Sequence, residues 1–330
     1  MQHVKIYSEK HLSRYLSPRK GEIKLGEKVK FLAAAEGLAK TDANFVIFGI
    51  PEDIGVRANY GKPGTSNAWE AFLNAFLNVQ HNRFLDSGKI LLLGEIDTSE
   101  EMEKASYIDD SDPNYHQKLG DLTERVDEKV SAVVKEIISA GKIPVIIGGG
   151  HNNAYGNLKG ASEAFENPVN VLNIDAHTDL RTTDYRHSGN GFSYALKNGF
   201  LNRYSVFGLH QNYTPEYIFE EMDKAGEIHY SLFENLQKGD LSFHFQENLD
   251  FVKDGKFGLE LDCDVIAWFP SSALTPTGFS LNEVREFVRI AARENNCCYL
   301  HVCEAIAKGD FPTGKALSFI VTDFLKNKYS

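Results

Sequence analysis

Cysteine is scarce in this chain of 330 residues. There are four, Cys263, Cys297, Cys298 and Cys303, all late in the sequence, all inside apolar runs and none in CxxC spacing. That usage speaks against a disulfide framework, and reduced, buried thiols in a cytoplasmic protein are the expected state. Long apolar runs are missing as well. No stretch approaches the roughly 18 consecutive apolar residues that a membrane span needs. The start, MQHVKIYSEKHLSRYLSPRK, has no apolar signal-peptide core. Positive charge is in deficit, with 35 Lys and Arg against 46 Asp and Glu and a net charge of −11. Such a balance argues against nucleic acid or an anionic membrane as the main partner. Internal repeats and low-complexity linkers are also absent. What is present is apolar: 42% hydrophobic and 12% aromatic residues, enough to bury a large core. The expected organisation is an N-terminal extension over residues 1–40 and one domain over 41–330.

Short apolar runs recur along that domain. Strands are expected at NFVIFGI, KILLLGEID, KIPVIIGGG, NVLNIDAH, RYSVFGL, EIHYSLF, FGLELDCDV and CCYLHVCEA, eight in all. Several show almost no polar alternation, as when both faces of a sheet are covered. Helices are expected at DLTERVDEKVSAVVKEIISAGK, where Leu122, Val126, Val130, Val133, Ile137 and Ile138 form one stripe, and at TGKALSFIVTDFLKNK. A third is expected at SLNEVREFVRIAAREN, with Ser280 as N-cap and Glu283 in capping-box position. The polar segment EKASYIDDSDPNYHQKLGD reads as a loop. Alternating strands and helices imply an α/β fold, a parallel sheet with helices on both faces.

In such sheets ligands bind beyond the carboxyl ends of the strands, and four of the expected strands end in metal-ligand residue types. VIIGGGH ends in His151, VLNIDAHTD in Asp175, His177 and Asp179, GLELDCD in Asp262 and Asp264, and YLHVCE in Glu304. Any one of these could be a hydrogen-bonded loop; their joint occurrence at strand ends is what points to a metal, because unpaired carboxylates in apolar surroundings are costly. Two imidazoles and four carboxylates suit a hard-to-borderline divalent ion such as manganese. Six ligands fit two ions roughly 3.5–4 Å apart, bridged by carboxylate and water, better than one.

GGGH, DAHTD and DCD, in this order and spacing, resemble the three metal motifs of the ureohydrolase family: arginase, agmatinase, guanidino-acid hydrolases and formimidoylglutamase. The likeness runs from about Asn44 to the end. It implies a three-layer α/β/α sandwich around an eight-stranded parallel sheet. It also implies two Mn2+ ions on His151, Asp175, His177, Asp179, Asp262 and Asp264. Glu304 falls where the family keeps a glutamate that binds the amidine or guanidine nitrogens of the substrate. Assembly as a trimer or hexamer is implied on the same ground.

Within the family the chain is most similar to formimidoylglutamases. Arg181 stands where arginase carries an asparagine, and an arginine fork favours a carboxylate. Agmatine offers none and N-formimino-L-glutamate offers two. The segment RHSGNGFSYAL resembles the Ser-Gly-x-Pro-Phe loop of those enzymes, although Asn190-Gly191 replaces Thr-Pro, and Phe192 stands where arginase has its proton-shuttling histidine. The resemblance therefore implies manganese-dependent hydrolysis of N-formimino-L-glutamate to L-glutamate and formamide. Asp179 and Glu304 would be catalytic, and Arg181, Ser188, Asn190, His210 and Glu304 would contact substrate. A guanidino-acid hydrolase, arginase or agmatinase releasing urea is the alternative; a metal-bound assembly protein without activity is disfavoured because every ligand is retained. Three side chains stay open. Glu260 could be an acid that supports the metal ligands from behind, though it is expected to point away from the metals; Arg181 could instead pair with Asp184 or Asp53, and His187 could be a surface or hydrogen-bonded residue.

Overall fold

The computed structural model describes residues 1–32, 37–236 and 241–328. Nine strands form one sheet: β1 Val4–Ile6, β2 Phe45–Gly49, β3 Ile90–Ile96, β4 Ile143–Ile147, β5 Val169–Ile174, β6 Leu201–Leu209, β7 Ile228–Leu232, β8 Phe257–Asp262 and β9 Cys297–Cys303. Their order is β1-β3-β2-β4-β9-β8-β5-β6-β7. All eight expected strands are present and parallel to their neighbours; β1 is a ninth, antiparallel to β3 with Val4 opposite Ile96. The eight-strand expectation is thus corrected by an edge strand from residues 1–40. Its burial is partial, so it carries no apolar run for sequence to reveal.

The strands alternate between two cores. Phe45, Ile47, Leu92, Val145, Ile147, Leu172 and Ile174 face one, where the helices Ala68–Phe76, Leu241–Val252, Leu281–Ala292 and Thr313–Asn327 pack. Val46, Phe48, Leu91, Leu93, Ile146 and Val171 face the other, under the helices Tyr115–Ser139, Asn153–Phe165 and Glu216–Lys224. This is the α/β/α sandwich, and it explains why the strands read as unbroken apolar runs: neither face meets water. Tyr7, Leu12, Tyr15, Leu25 and Val29 join the first core, so the N-terminal segment packs on the domain. No helix among the described residues is long and apolar enough to cross a membrane.

Local signals hold where the sequence carries them. Ser280 accepts from Glu283 N–H (3.2 Å) while its own N–H donates to the Glu283 carboxylate (2.7 Å), closing the expected capping box. The polar segment at 103–121 is a correction. Only 107–114 is irregular, between the helices Ser99–Ser106 and Tyr115–Ser139. The long helix starts about a turn and a half early because buried Leu119 extends its apolar stripe.

Candidate metal centre

The strands that end in the candidate ligands and in Glu304 are consecutive in the sheet: β4, β9, β8 and β5. The turns that follow them therefore open at one end of the sheet, side by side. After β4, Gly148 and Gly149 take φ +89° and +73°. A Cβ on Gly149 would lie 2.4 Å from Asn153 Nδ2, and one on Gly150 would lie 2.4 Å from Asn152 Oδ1. Close approach of backbone and side chains dictates these glycines. The hub of the turn is Glu52, from the loop after β2, which sequence reading passed over. Its carboxylate accepts from Gly150 N–H (2.9 Å), Asn153 Nδ2 (2.7 Å) and Ile54 N–H (2.7 Å), binding two loops together next to His151.

Beyond β5, Asp175 is held from both sides. Asn173 Nδ2 donates to its Oδ2 (2.9 Å) and His177 N–H donates to its Oδ1 (2.7 Å). Asp179 and Glu304 both adopt left-handed backbone, φ +49° and +58°, uncommon for residues other than glycine. After β8, Asp262 Oδ1 accepts from Asp264 N–H (2.9 Å). After β9, Glu304 Oε1 accepts from His151 N–H (2.6 Å), and its Oε2 is buried without a partner among the described residues.

Two ligand groups result, sharing one residue. His151 Nδ1 lies 2.8 Å from Asp179 Oδ2 and 3.2 Å from both Asp175 Oδ2 and Asp262 Oδ2. His177 Nδ1 lies 3.4 Å from Asp264 Oδ2 and 3.6 Å from Asp175 Oδ1. The groupings are His151, Asp175, Asp179, Asp262 and Asp175, His177, Asp264, with the two oxygens of Asp175 turned to one group each. A ring nitrogen has one proton or one lone pair and cannot satisfy three carboxylates. His151 Nδ1 in fact has no well-formed hydrogen bond among the described residues, nor has Asp264 Oδ1. Buried polar atoms are rarely left so; oxygens and nitrogens converging on common points without hydrogen-bond geometry fit the coordination shells of cations. A thiol, Cys303, also stands beside His151 and Asp262.

Burial penalises every charge here. It and the neighbouring Asp262 push the Glu304 carboxyl up to about 8. Asp262 is driven well above its ordinary range by burial and by Asp264 and Asp175. For Asp175, burial is outweighed by the two neighbouring imidazoles, His151 and His177, which hold it low.

Above the cluster lies a cavity of about 280 Å³ whose lining includes His177, Asp179, Asp262, Asp264 and Glu304 at the acidic end. Asn59, Lys62, Arg181, Ser188 and Tyr213 also line it, and of these Lys62, Arg181 and Tyr213 are exposed and mark its mouth. Arg181 has no ion pair or side-chain hydrogen bond among the described residues: Asp184 accepts from Thr182 (2.9 Å) and Asp53 from Gly64 N–H (2.9 Å). The structural-arginine alternative therefore falls. That role belongs to buried Arg186, which pairs with Asp127 at 2.9 Å. Lys62 is the second cation of the mouth, missed in the sequence because nothing local marks it. Ser188 also lines the cavity, accepting from Asn59 Nδ2 (3.1 Å).

Two expected substrate contacts are corrected. Asn190 is fully buried, its carbonyl accepting from Arg186 (2.5 Å) and its amide donating to the Thr182 and Tyr185 carbonyls, so it builds the loop and does not line the cavity. His210 is buried between Tyr213 and Phe233, ring centroids 5.3 and 4.7 Å away, and Tyr213 is what reaches the cavity. Glu260 is a third correction. It does not point away: its Oε2 lies 3.7 Å from His151 Nε2. His187 is hydrogen-bonded, its Nδ1 accepting from Gly189 N–H (3.1 Å).

The arginase family model matches residues 43–320, and the chain belongs to the arginase family. A formimidoylglutamase of Macrococcus caseolyticus is 26% identical over 277 residues, covering 82% of this chain and 80% of that enzyme. Among solved structures, Trypanosoma cruzi formiminoglutamase with Mn2+ superposes at a TM-score of 0.74 with 19% identity, covering 93% of this chain and 98% of that one. The agmatine ureohydrolase of Thermoplasma volcanium gives 0.68 with 17% identity, covering 97% of each. At these identities the structural likeness shows the fold alone, and the fold is shared by enzymes of different substrates.

Proposed function

We propose that this chain is a manganese-dependent hydrolase of amidine C–N bonds that converts N-formimino-L-glutamate and water to L-glutamate and formamide. The observation that carries the reading is the polarity of the cavity. Its floor is a carboxylate cluster suited to cations and to a cationic amidinium, and its mouth holds two cations, Arg181 and Lys62. A substrate with an amidinium head and a carboxylate tail matches both ends, whereas agmatine, cationic at each end, would meet repulsion at the mouth. The formimidoylglutamase relatives support the same choice.

Two divalent ions on the ligand groups described above would supply Lewis-acid activation of water at neutral pH. Asp175 is the residue common to both groups. Glu304, which lines the cavity, would accept N–H hydrogen bonds from the amidinium and orient its carbon. Asp179, at the cavity floor, would take the proton of the attacking water and return it to the departing amine nitrogen. Arg181 would clamp one carboxylate through its two parallel N–H groups, with Lys62 beside the other. Ser188, whose oxygen accepts from Asn59, keeps its own proton for the same carboxylates.

Formamide and glutamate released in equal amounts from N-formimino-L-glutamate by the manganese-loaded protein is the expected result. Urea released from a guanidino acid, with no formamide from the formimino compound, would overturn the reading in favour of the guanidino-acid alternative.

A further inference from the structure

Behind His151, on the side away from the aspartates, lies a second buried polar cluster that no step above uses. Glu260, Tyr299 and His301 are each 0% exposed. Glu260 on β8 is in register with His301 on β9. Its Oε1 accepts from the Tyr299 hydroxyl (2.8 Å) and its Oε2 lies 2.5 Å from His301 Nδ1. The same Oε2 is 3.7 Å from His151 Nε2, while His301 Nε2 reaches toward the Gly148 carbonyl at 3.4 Å. A buried carboxylate is expensive unless its neighbours require it.

His151 supplies the requirement. Its two ring nitrogens face opposite ways: Nδ1 faces the three aspartates, while Nε2, also without a hydrogen bond among the described residues, faces Glu260 Oε2 at 3.7 Å. A neutral imidazole offers a lone pair at one nitrogen only when its proton sits on the other, and the partner of that second nitrogen selects the tautomer. A carboxylate on the far side of a metal-binding histidine fixes ring orientation and raises ligand basicity. Tyr299 holds Oε1, and His301 holds Oε2, the same oxygen that faces His151 Nε2.

We propose that Glu260 is a positioning residue for the metal centre, holding the His151 proton at Nε2 so that Nδ1 is presented as a ligand, with Tyr299 and His301 fixing Glu260 in turn. The inference rests on the metal-centre reading and goes beyond it, since neither the metal motifs nor the substrate contacts include these three residues. The alternative is that Glu260 and its partners merely pin β8 to β9. That role would be felt in stability and not in metal affinity.

The test uses the full chain stripped of metal. Manganese affinity is measured by competition with a chromophoric chelator, and metal-free melting temperature is measured in parallel, for wild type, Glu260→Leu and Tyr299→Phe. Glu260→Leu is expected to weaken one of two manganese sites by about 10–100-fold. Tyr299→Phe is expected to weaken the same site by less. Two wild-type-like sites in a folded Glu260→Leu protein would overturn the proposal, even with a lowered melting temperature. A wild type that binds no manganese would overturn the metal-centre reading along with it. Should Glu260→Leu fail to fold, 15N-histidine NMR of the zinc-loaded wild type decides, with His151 assigned by its absence in His151→Asn. A proton on Nε2 is expected; a proton on Nδ1 would overturn the assignment.

Discussion

Replacing Arg181 by alanine should raise KM for N-formimino-L-glutamate without a comparable loss in kcat. The guanidinium stands at the mouth of the cavity and the ligand cluster at its floor, so Arg181 does not touch the reacting carbon. A charge-assisted hydrogen bond contributes about 1.5–3 kcal/mol where it is desolvated. Arg181 is exposed, however, and solvent screening lowers that figure to about 1–2 kcal/mol for the pair of N–H contacts. At roughly 1.4 kcal/mol per tenfold, KM should rise about 5–30-fold. The fold should tolerate the change, because the side chain makes no hydrogen bond or ion pair among the described residues. Its stem only packs where Gly189 lacks a side chain, with Cδ 3.0 Å from the position a Cβ would take. Steady-state kinetics with glutamate detected by a coupled dehydrogenase would read both parameters. Arg181→Lys, which keeps charge and loses the fork, should fall between. An unchanged KM, or a kcat loss as large as the KM change, would refute the carboxylate clamp.

Lys62→Met should raise KM by less, about 2–5-fold, given its exposed ammonium. The effect should vanish for N-formimino compounds bearing a single carboxylate, as a KM comparison of the two substrate types would show. Asp264→Asn should abolish turnover and lower bound manganese from two ions toward one, measured by atomic absorption; full metal content would contradict its place in the second ligand group. His187 gives a pH prediction. Burial, then the Arg186 and Arg181 charges, depress its folded-state value to about 3 against an ordinary 6.5. A depressed histidine contributes stability that is complete above pH 6.5 and lost as pH falls toward 3. Between pH 7 and pH 5 the loss is about 1–2 kcal/mol. His187→Asn, which can still accept from Gly189 N–H, should shrink the stability difference between those two pH values in urea melts; an undiminished difference would contradict the assignment.

The parts that sequence revealed are those in which a residue's role is set by its neighbours in the chain. The eight parallel strands announced themselves because sheets covered on both faces are apolar throughout. The six candidate ligands stood out because each sits at the carboxyl end of such a strand. Strand β1 could not, since three partly exposed residues become a strand only by pairing with β3. Nor could Glu52, whose partners lie about a hundred residues away at Gly150, Asn152 and Asn153. Asn190 and His210 show the converse failure. Chain position places them near the site, but side-chain direction is a tertiary property: one amide is consumed by Arg186 and two carbonyls, and one ring is stacked behind Tyr213. The contacts of Glu260 are hidden from sequence for the same reason. Strand alternation says which face it takes and not that His151 would be waiting there.

The most direct measurement of the central claim is a comparison of kcat/KM for the manganese-loaded protein on N-formimino-L-glutamate, arginine, agmatine and 4-guanidinobutyrate, with formamide and urea quantified separately. The account predicts that N-formimino-L-glutamate leads by at least about tenfold, the worth of one screened carboxylate contact, with formamide as product. Equal or faster turnover of agmatine, with urea as product, would contradict it.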